Sequence, residues 1–373
     1  MCSSRVGRIG VDARLLSAPL TGIGRYTHEM VNALLRTGAD LTLYMPGKAL
    51  HWIDTSAGTY DVKSIGRFGR RGRFIWGQFV LPIKACFDAP DFFWGPTHRL
   101  PPFLPRKTRS FVTIHDLVWK YAGATMRSSS RLLEAYSMPA AIARSDGIIA
   151  VSHHTQADII RTFPSTKAPI VTIYPGVSDR PAGHDKSYLG KWGINRPYVL
   201  FVGTLEPRKN LLRLLDAYSR LSCEIRQMAQ LVIAGGQGWG DLNLSQKIEE
   251  LGLINHISLT GYVDEVELST LYKNALFLAM PSLYEGFGLP LVEAMSYNLP
   301  CLTSSCASMP EVVGEAGLLV DPLDVDSIKM GLQQLITDVG LRARMSAFAA
   351  TNAELFKWDA AADQLLNFFE ACS

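Results

Sequence analysis

Cysteine is scarce in this 373-residue chain and never clustered: Cys2, Cys86, Cys223, Cys301, Cys306 and Cys372 form no CxxC pair and stand in no group with histidines. Scattered thiols argue against a disulfide framework and against a structural zinc site, so a reduced, cytoplasmic chain without a bound metal is expected. Long apolar runs are missing as well. No stretch approaches the roughly eighteen apolar residues that a membrane span requires, and MCSSRVGRIGVDARLL lacks an apolar core followed by a small-residue cleavage site, so neither a span nor export is expected. Charge excess is also absent. Thirty-seven Lys and Arg against 34 Asp and Glu leave a formal charge of +3, too little for a broad nucleic-acid footprint. Low-complexity tracts and short fixed repeats do not occur.

One basic run stands out locally: Arg67, Arg70, Arg71 and Arg73 lead into the apolar segment FIWGQFVLP, with Phe74, Ile75, Trp76 and Phe79. Cations beside these apolar residues could sit on an anionic membrane face, here the inner face of the cytoplasmic membrane, or hold an acidic acceptor. A solvated loop leading into a core helix is the plainer alternative.

What is present is enough apolar residue, 47%, to fill two cores. Short β-branched or aromatic runs alternate with helix-like segments: IGVDA, LTLYM, DFFWGP, SFVTIHD, GIIAVS and APIVTIYPG, then YVLFVGT, AQLVIAGG, HISLTGYV, LFLAMPS, PCLTSS and AGLLVDP. Continuous apolar strands separated by helices predict parallel sheets covered on both faces, in an α/β fold of two Rossmann-like, doubly wound domains. Residues 178–197 are polar and rich in Gly and Pro, which predicts a linker and domains over 1–185 and 186–358. Beyond AGLLVDP the pattern is helical throughout, ending in WDAAADQLLNFFEAC, where Ala361, Leu365, Leu366 and Phe369 recur at helical spacing. Two such domains facing one another would bind ligand in an inter-domain cleft, at strand carboxyl ends and helix amino ends.

The strand-to-helix turns are therefore where chemistry is expected. In GTLEPRKN, Gly203 through Asn210 follow a strand, and Arg208 and Lys209 sit where a helix begins. Cations there oppose the positive end of the helix dipole, and an anionic ligand such as a diphosphate resolves the conflict. In YEGFGLPLVEAM, Gly286 and Gly288 permit a tight turn, and the amides of Gly286, Phe287, Gly288 and Leu289 are expected to point at a ligand. Glu285 would stand at the lip of that turn and Glu293 about one turn inside the helix, each able to accept from paired sugar hydroxyls. Gly22 and Gly24 in TGIGRYT allow close backbone approach, and His115 and Asp116 end another strand, where the imidazole could donate to a hydroxyl or share a proton. AGGQGWGD, residues 234–241, is a glycine-rich loop near a nucleotide, without the spacing of a dinucleotide fingerprint.

GTLEPRKN, GYVDEVELSTLYKNA, PSLYEGFGLPLVEAM and SMPEVVGEAGLLVDP, in that order, resemble the retaining glycosyltransferases of family four with the GT-B fold, over nearly the whole chain. The resemblance implies that Glu285 contacts the transferred sugar and Glu293 the ribose, while Arg208 and Lys209 hold the donor diphosphate with help from Gly203. Gly286, Phe287, Gly288 and Leu289 would touch sugar and phosphate, Tyr262 and Val263 the base, His115 the primary hydroxyl, and Gly24 the diphosphate. Thr204 departs from members that carry a further basic residue there. The resemblance also implies that the final helix, 359–373, returns to complete the first domain, and that no metal or other cofactor is needed beside a nucleotide-diphosphate sugar. GVDARLL with TGIGRYT further resembles bacterial transferases that build O-antigen or related polysaccharide from GDP-mannose or GDP-rhamnose onto a glycan or lipid-linked saccharide. A UDP-sugar transferase (glucose or N-acetylhexosamine), a nucleotide-sugar epimerase or hydrolase, and a non-enzymatic two-domain sugar-binding module are the rival readings.

Overall fold

The computed structural model describes residues 7–18, 21–51, 53–54, 58–64, 72, 75–178, 181–240 and 243–373. Arg67, Arg70, Arg71, Arg73 and Phe74, on which the membrane reading partly rests, lie outside them, as does Cys2. The chain divides into two compact units, the first formed by Met1–Leu117, Ser129–Gly176 and Lys357–Ser373, the second by Val118–Ser128 and Val177–Phe356.

In the first unit the described residues form a seven-stranded parallel sheet. Its strands are β1 (Ile9–Asp12), β2 (Asp40–Met45), β3 (Thr59–Ser64), β4 (Phe92–Gly95), β5 (Arg109–Ile114), β6 (Gly147–Ala150) and β7 (Ile170–Thr172), in the order β3-β2-β1-β4-β5-β6-β7. The second unit has β8 (Tyr198–Val202), β9 (Gln230–Ala234), β10 (Ile257–Gly261), β11 (Phe277–Met280), β12 (Cys301–Ser304) and β13 (Gly317–Val320), ordered β10-β9-β8-β11-β12-β13 and again parallel. Helices cover both faces of such sheets, so β1, β4, β6, β8, β9, β11 and β12 are buried at every position. That explains why β8, β11 and most of β9 read as unbroken apolar runs.

Strand order reverses beside the first strand of each sheet, between β1 and β4 and between β8 and β11. Loops leaving the carboxyl ends of strands at such a switch diverge to opposite faces and open a crevice there. The loops after β8 and β11 are GTLEPRKN and PSLYEGFG, the two segments singled out in the sequence.

β3 was not anticipated. It is an edge strand, its sequence TYDVKS alternates apolar with polar residues, and Lys63 pairs with Asp61 at 2.6 Å. Thr59, Asp61 and Val62 are all exposed, and an edge strand so solvated needs no continuous apolar run.

The segment 178–197, expected to be a linker, packs on the second unit. The His184 amide donates to Thr270 Oγ1 at 2.7 Å, the Tyr188 hydroxyl donates to Glu267 at 3.0 Å, and Lys191 pairs with the same carboxylate. The change of unit comes earlier, at Gly176–Val177. The final helix, Trp358–Ala371, belongs to the first unit, where it lies along the helix Gly22–Arg36: Arg36 Nη2 meets Asp359 at 2.6 Å and Tyr26 meets the Trp358 ring edge-on at 5.6 Å. Its Trp358, Leu365, Leu366 and Phe369 are buried, each contributing about 1.5–3 kcal/mol of apolar transfer energy.

Candidate functional site

The second unit gathers the two loops into one cluster of charge. Glu285 is 5% exposed, and its carboxylate bridges both cations of the β8 turn: Arg208 Nη1 donates to Oε2 at 2.5 Å and Lys209 Nζ to Oε1 at 2.7 Å. Arg208 also donates to Glu206 Oε1 at 2.6 Å and to the Tyr284 carbonyl at 2.9 Å. Burial alone would raise the Glu285 pKa, but the charges of Arg208 and Lys209 outweigh it and hold the group at about 2. Glu285, expected at the lip of the turn, is thus buried there. Two adjacent positive charges draw it inward, because a buried ion must be paired.

Local geometry explains how the cations get there. Pro207–Lys209 form one 3-10 turn, and Asn210 follows in the left-handed conformation (φ 60°) before the helix Leu211–Ser219. Asn tolerates that conformation and here also bonds outward: its Nδ2 donates to the Pro281 carbonyl at 2.9 Å and the Pro322 carbonyl at 2.7 Å. Arg208 and Lys209 thus precede the helix proper instead of lying in its first turn.

The β11 loop is pinned from the other side. Ser304 Oγ donates to Ser282 O at 2.6 Å, and Ser308 Oγ donates to both Glu285 O (2.9 Å) and Phe287 O (3.0 Å). The Arg208 carbonyl accepts from the Leu283 amide at 2.9 Å, tying the two loops together. Gly288 caps the helix Leu289–Ser296 with φ 97° and ψ 58°, a backbone that side chains rarely adopt; Gly286 is not in that region. Gly286, Phe287 and Gly288 are buried, and Phe287 packs edge-on to Phe356.

Glu293 lies one turn inside that helix, 9% exposed, and accepts from the Tyr272 hydroxyl at 2.9 Å. Neither glutamate is an ordinary surface residue. Gly203 sits beneath the Lys209 stem: a side chain there would come within 3.4 Å of Lys209 Cε. Gly235 touches Gly203 so closely that a Cβ would fall 1.9 Å from its carbonyl oxygen, so the glycine-rich loop after β9 and the β8 turn can only meet through glycine. Thr204 is exposed, and Leu205 joins that loop through its amide, which donates to Gly236 O at 3.0 Å.

Beside this loop is a cavity of about 530 Å³, lined in part by Gly235, Gln237, Asn243, Gln246 and Gly261. Tyr262 is 83% exposed at its side, close enough that a Cβ on Gly236 would lie 3.9 Å away, and Val263 is half-buried next to it. The helix that follows, Glu265–Asn274, is fixed by a reciprocal cap in which Asp264 accepts from the Glu267 amide and Glu267 from the Asp264 amide.

In the first unit Gly24 is buried in the first turn of the helix Gly22–Arg36, and among the described residues none stands within 4 Å of where a Cβ on Gly22 would point. His115 follows β5. Its Nε2 is 2.7 Å from the Pro96 carbonyl, which can only accept, so the ring proton is on Nε2 and Nδ1 is the unprotonated nitrogen. Loss of water on burial, the largest cause, lowers its pKa to about 3, so the ring is neutral. The sequence allows this ring to donate to a hydroxyl; with Nε2 spent on Pro96, Nδ1 can only accept.

Asn210, Tyr272, Ser304, Ser308, His98 and Glu134 were not singled out in the sequence. Asn210 alone had a local signal, an Asn between a turn and a helix. The others owe their roles to contacts far along the chain.

The "Glycosyltransferase Family 4" model matches residues 20–180 and the "Glycosyl transferases group 1" model residues 188–351. The O-antigen chain mannosyltransferase B of Escherichia coli is 32% identical over 372 residues, covering 94% of this chain and 96% of that protein. Among solved structures, sucrose-phosphate synthase from Thermosynechococcus elongatus superposes with a TM-score of 0.77 at 20% identity, covering 98% of each chain. Anabaena HepE in complex with UDP-glucose gives 0.76 at 18% identity, over 98% of this chain and 100% of that one. These likenesses establish the GT-B fold. The chain is a glycosyltransferase and belongs to glycosyltransferase family 4.

Proposed function

We propose that the protein is a retaining hexosyltransferase that moves mannose or rhamnose from a GDP-sugar onto a glycan or lipid-linked saccharide during O-antigen or related polysaccharide synthesis. The observation that carries the proposal is the buried, doubly pinned cluster Arg208–Lys209–Glu285. It is two cations held on a carboxylate that a diphosphate can replace. The name of the mannosyltransferase relative supports the sugar and the pathway.

In this reading Arg208 and Lys209 take the diphosphate, and Gly203, Thr204 and Gly24 are assigned to it as well. Glu285, released from the cations, accepts from the hydroxyls of the transferred sugar. Gly286, Phe287, Gly288 and Leu289 line sugar and phosphate, Glu293 receives the ribose diol, and Tyr262 and Val263 border the base at the cavity beside the β9 loop. His115 accepts from the sugar's primary hydroxyl through Nδ1.

The bond from C1 to the diphosphate oxygen breaks as the acceptor oxygen bonds to C1 on the same face, through an oxocarbenium-like state. The acceptor's proton passes to the departing phosphate, and the nucleoside diphosphate leaves. Arg208 and Lys209 stabilise the developing negative charge without a metal, and the rigid loops hold both substrates in register. No covalent nucleophile is required. A donor screen with GDP- and UDP-sugars, with the product anomer assigned by NMR, tests the reading: an inverted anomer, or free sugar or epimer formed without acceptor, refutes it. UDP-glucose is the second donor worth attention because the HepE structure contains it.

We also propose that the protein is cytoplasmic and touches the membrane peripherally. No described helix is long and apolar enough to cross a membrane. After the arginine run, however, Ile75, Phe79, Ile83 and Phe87 recur every fourth residue along the helical segment and are 56%, 66%, 50% and 86% exposed. Cations followed by an exposed apolar ridge suit an anionic lipid surface. Sedimentation with phosphatidylglycerol vesicles at low salt should pellet the protein and fail to pellet Phe79→Asp/Phe87→Asp; equal behaviour of both refutes this contact.

A further inference from the structure

We propose that His98 is a positioning residue for this site: its imidazole holds the backbone of His115, and Glu134 fixes the tautomer that lets it do so. The inference rests on the assignment of His115 to the transferred sugar. His98 lies between β4 and β5, 4% exposed, in the left-handed backbone conformation (φ 63°). A histidine held there is over-determined by its surroundings, and strain of this kind gathers at sites that need a fixed geometry.

Its surroundings are specific. His98 Nε2 accepts from the His115 amide at 2.9 Å, which leaves the ring's own proton on Nδ1. That nitrogen is 3.3 Å from Glu134 Oε2, while Glu134 Oε1 accepts from Arg99 Nη2 at 2.8 Å. Although burial works against its ionisation, contacts with His98 and Arg99 keep Glu134 charged, so it is an acceptor for the Nδ1 proton. The His98 amide itself donates to Thr113 O at 3.2 Å, which locks the loop to β5.

His115 is thereby held at two points, its amide by His98 and its Nε2 proton by Pro96 O at 2.7 Å. Together they fix where Nδ1 points. A parallel strand leaves the amide just beyond its end without a ladder partner, and water could serve it. A buried ring serves it at one distance and one angle, which matters because a misplacement of about 1 Å can cost on the order of a hundredfold in rate.

Two substitutions separate this role from a merely structural one. The Oε1 of His98→Gln can occupy the place of Nε2 and still accept from the His115 amide. His98→Asn reaches only the place of Nδ1, yet Asn tolerates the left-handed backbone better than Gln does. Positioning predicts that Gln keeps kcat within about threefold while Asn loses at least about tenfold, with donor KM little changed in both; melting should fall in the Gln variant, which gives up the bond to Glu134 and fits the left-handed backbone less well. A purely structural role predicts Asn equal to or better than Gln, and that order of kcat overturns the inference.

A second readout needs no turnover. Nitrogen-15 spectra should show His98 protonated at Nδ1 and not at Nε2, and hydrogen exchange should show the His115 amide losing protection in His98→Asn but keeping it in His98→Gln. An Nε2-protonated ring, or a His115 amide as protected in the Asn variant as in wild type, overturns the inference. His115→Ala is run in parallel: full turnover there refutes the assignment of His115 to the sugar, while the spectra still decide whether His98 holds its amide.

Discussion

Replacing Glu285 by glutamine removes the negative charge shared by Arg208 and Lys209 while keeping the shape of the side chain. In the unliganded protein this should be costly. The three side chains are 7%, 17% and 9% exposed for Glu285, Arg208 and Lys209, so water screens the pair weakly. Arg208 retains Glu206 and the Tyr284 carbonyl, so the deficit falls mainly on Lys209. Removing one partner of a buried pair costs about 3–5 kcal/mol, which lowers melting by on the order of 6–20 °C for a domain of this size. Diphosphate supplies the missing charge. GDP or UDP, which carry no sugar to need the carboxylate, should bind Glu285→Gln at least about tenfold more tightly than wild type, a gain of about 1.4 kcal/mol. The rise in melting temperature on saturation should be correspondingly larger. On the proposed contact of Glu285 with the transferred sugar, turnover should collapse. Calorimetric titration and thermal melts with and without nucleotide provide the test. An unliganded Glu285→Gln protein as stable as wild type, with nucleotide affinity unchanged or weaker, would refute the idea that carboxylate and diphosphate compete for the same cations.

Arg208→Ala should weaken GDP or UDP binding by about 1.5–3 kcal/mol, the worth of a charge-assisted hydrogen bond, and unchanged calorimetric affinity would contradict its role. Gly288→Ala forces a side chain into the left-handed region and puts Cβ 3.0 Å from Leu291 Cδ1. The backbone term alone is about 1–2 kcal/mol, so a lower melting temperature and reduced turnover are expected, and wild-type values for both would count against a fixed turn. The pH dependence of stability follows from Glu285 and Glu134, whose pKa values are depressed from 4.5 to about 2 in the folded protein. Depressed carboxylates contribute stability that is complete above the unfolded value and is lost as pH falls from about 4.5 through about 2. Denaturant midpoints measured across that window should fall for the wild type and fall less steeply for Glu285→Gln; parallel curves would show that the carboxylate is not stabilised by its partners.

The sequence by itself determined the layering and pointed to the turns that form the candidate site. Apolar runs such as YVLFV, LVIA and FLAM, each followed by a turn, specify strands buried on both faces, and burial on both faces specifies parallel sheets under helices. Glycine at 203 and 288, and the cations at 208 and 209, marked the turns because backbone conformation and charge at a helix entrance are local properties. The polar alternation of TYDVKS hid an edge strand, since an edge strand so solvated looks like a loop. Tertiary structure alone decided which groups meet. Lys209 and Glu285 are 76 positions apart and Tyr272 and Glu293 21, and no periodicity encodes either contact. The same holds for the proton on His115, which is set by the Pro96 carbonyl, and for the hold on its amide, which comes from His98. Protonation and burial are properties of a three-dimensional neighbourhood, and a chain acquires them only when the sheet brings its strand ends side by side.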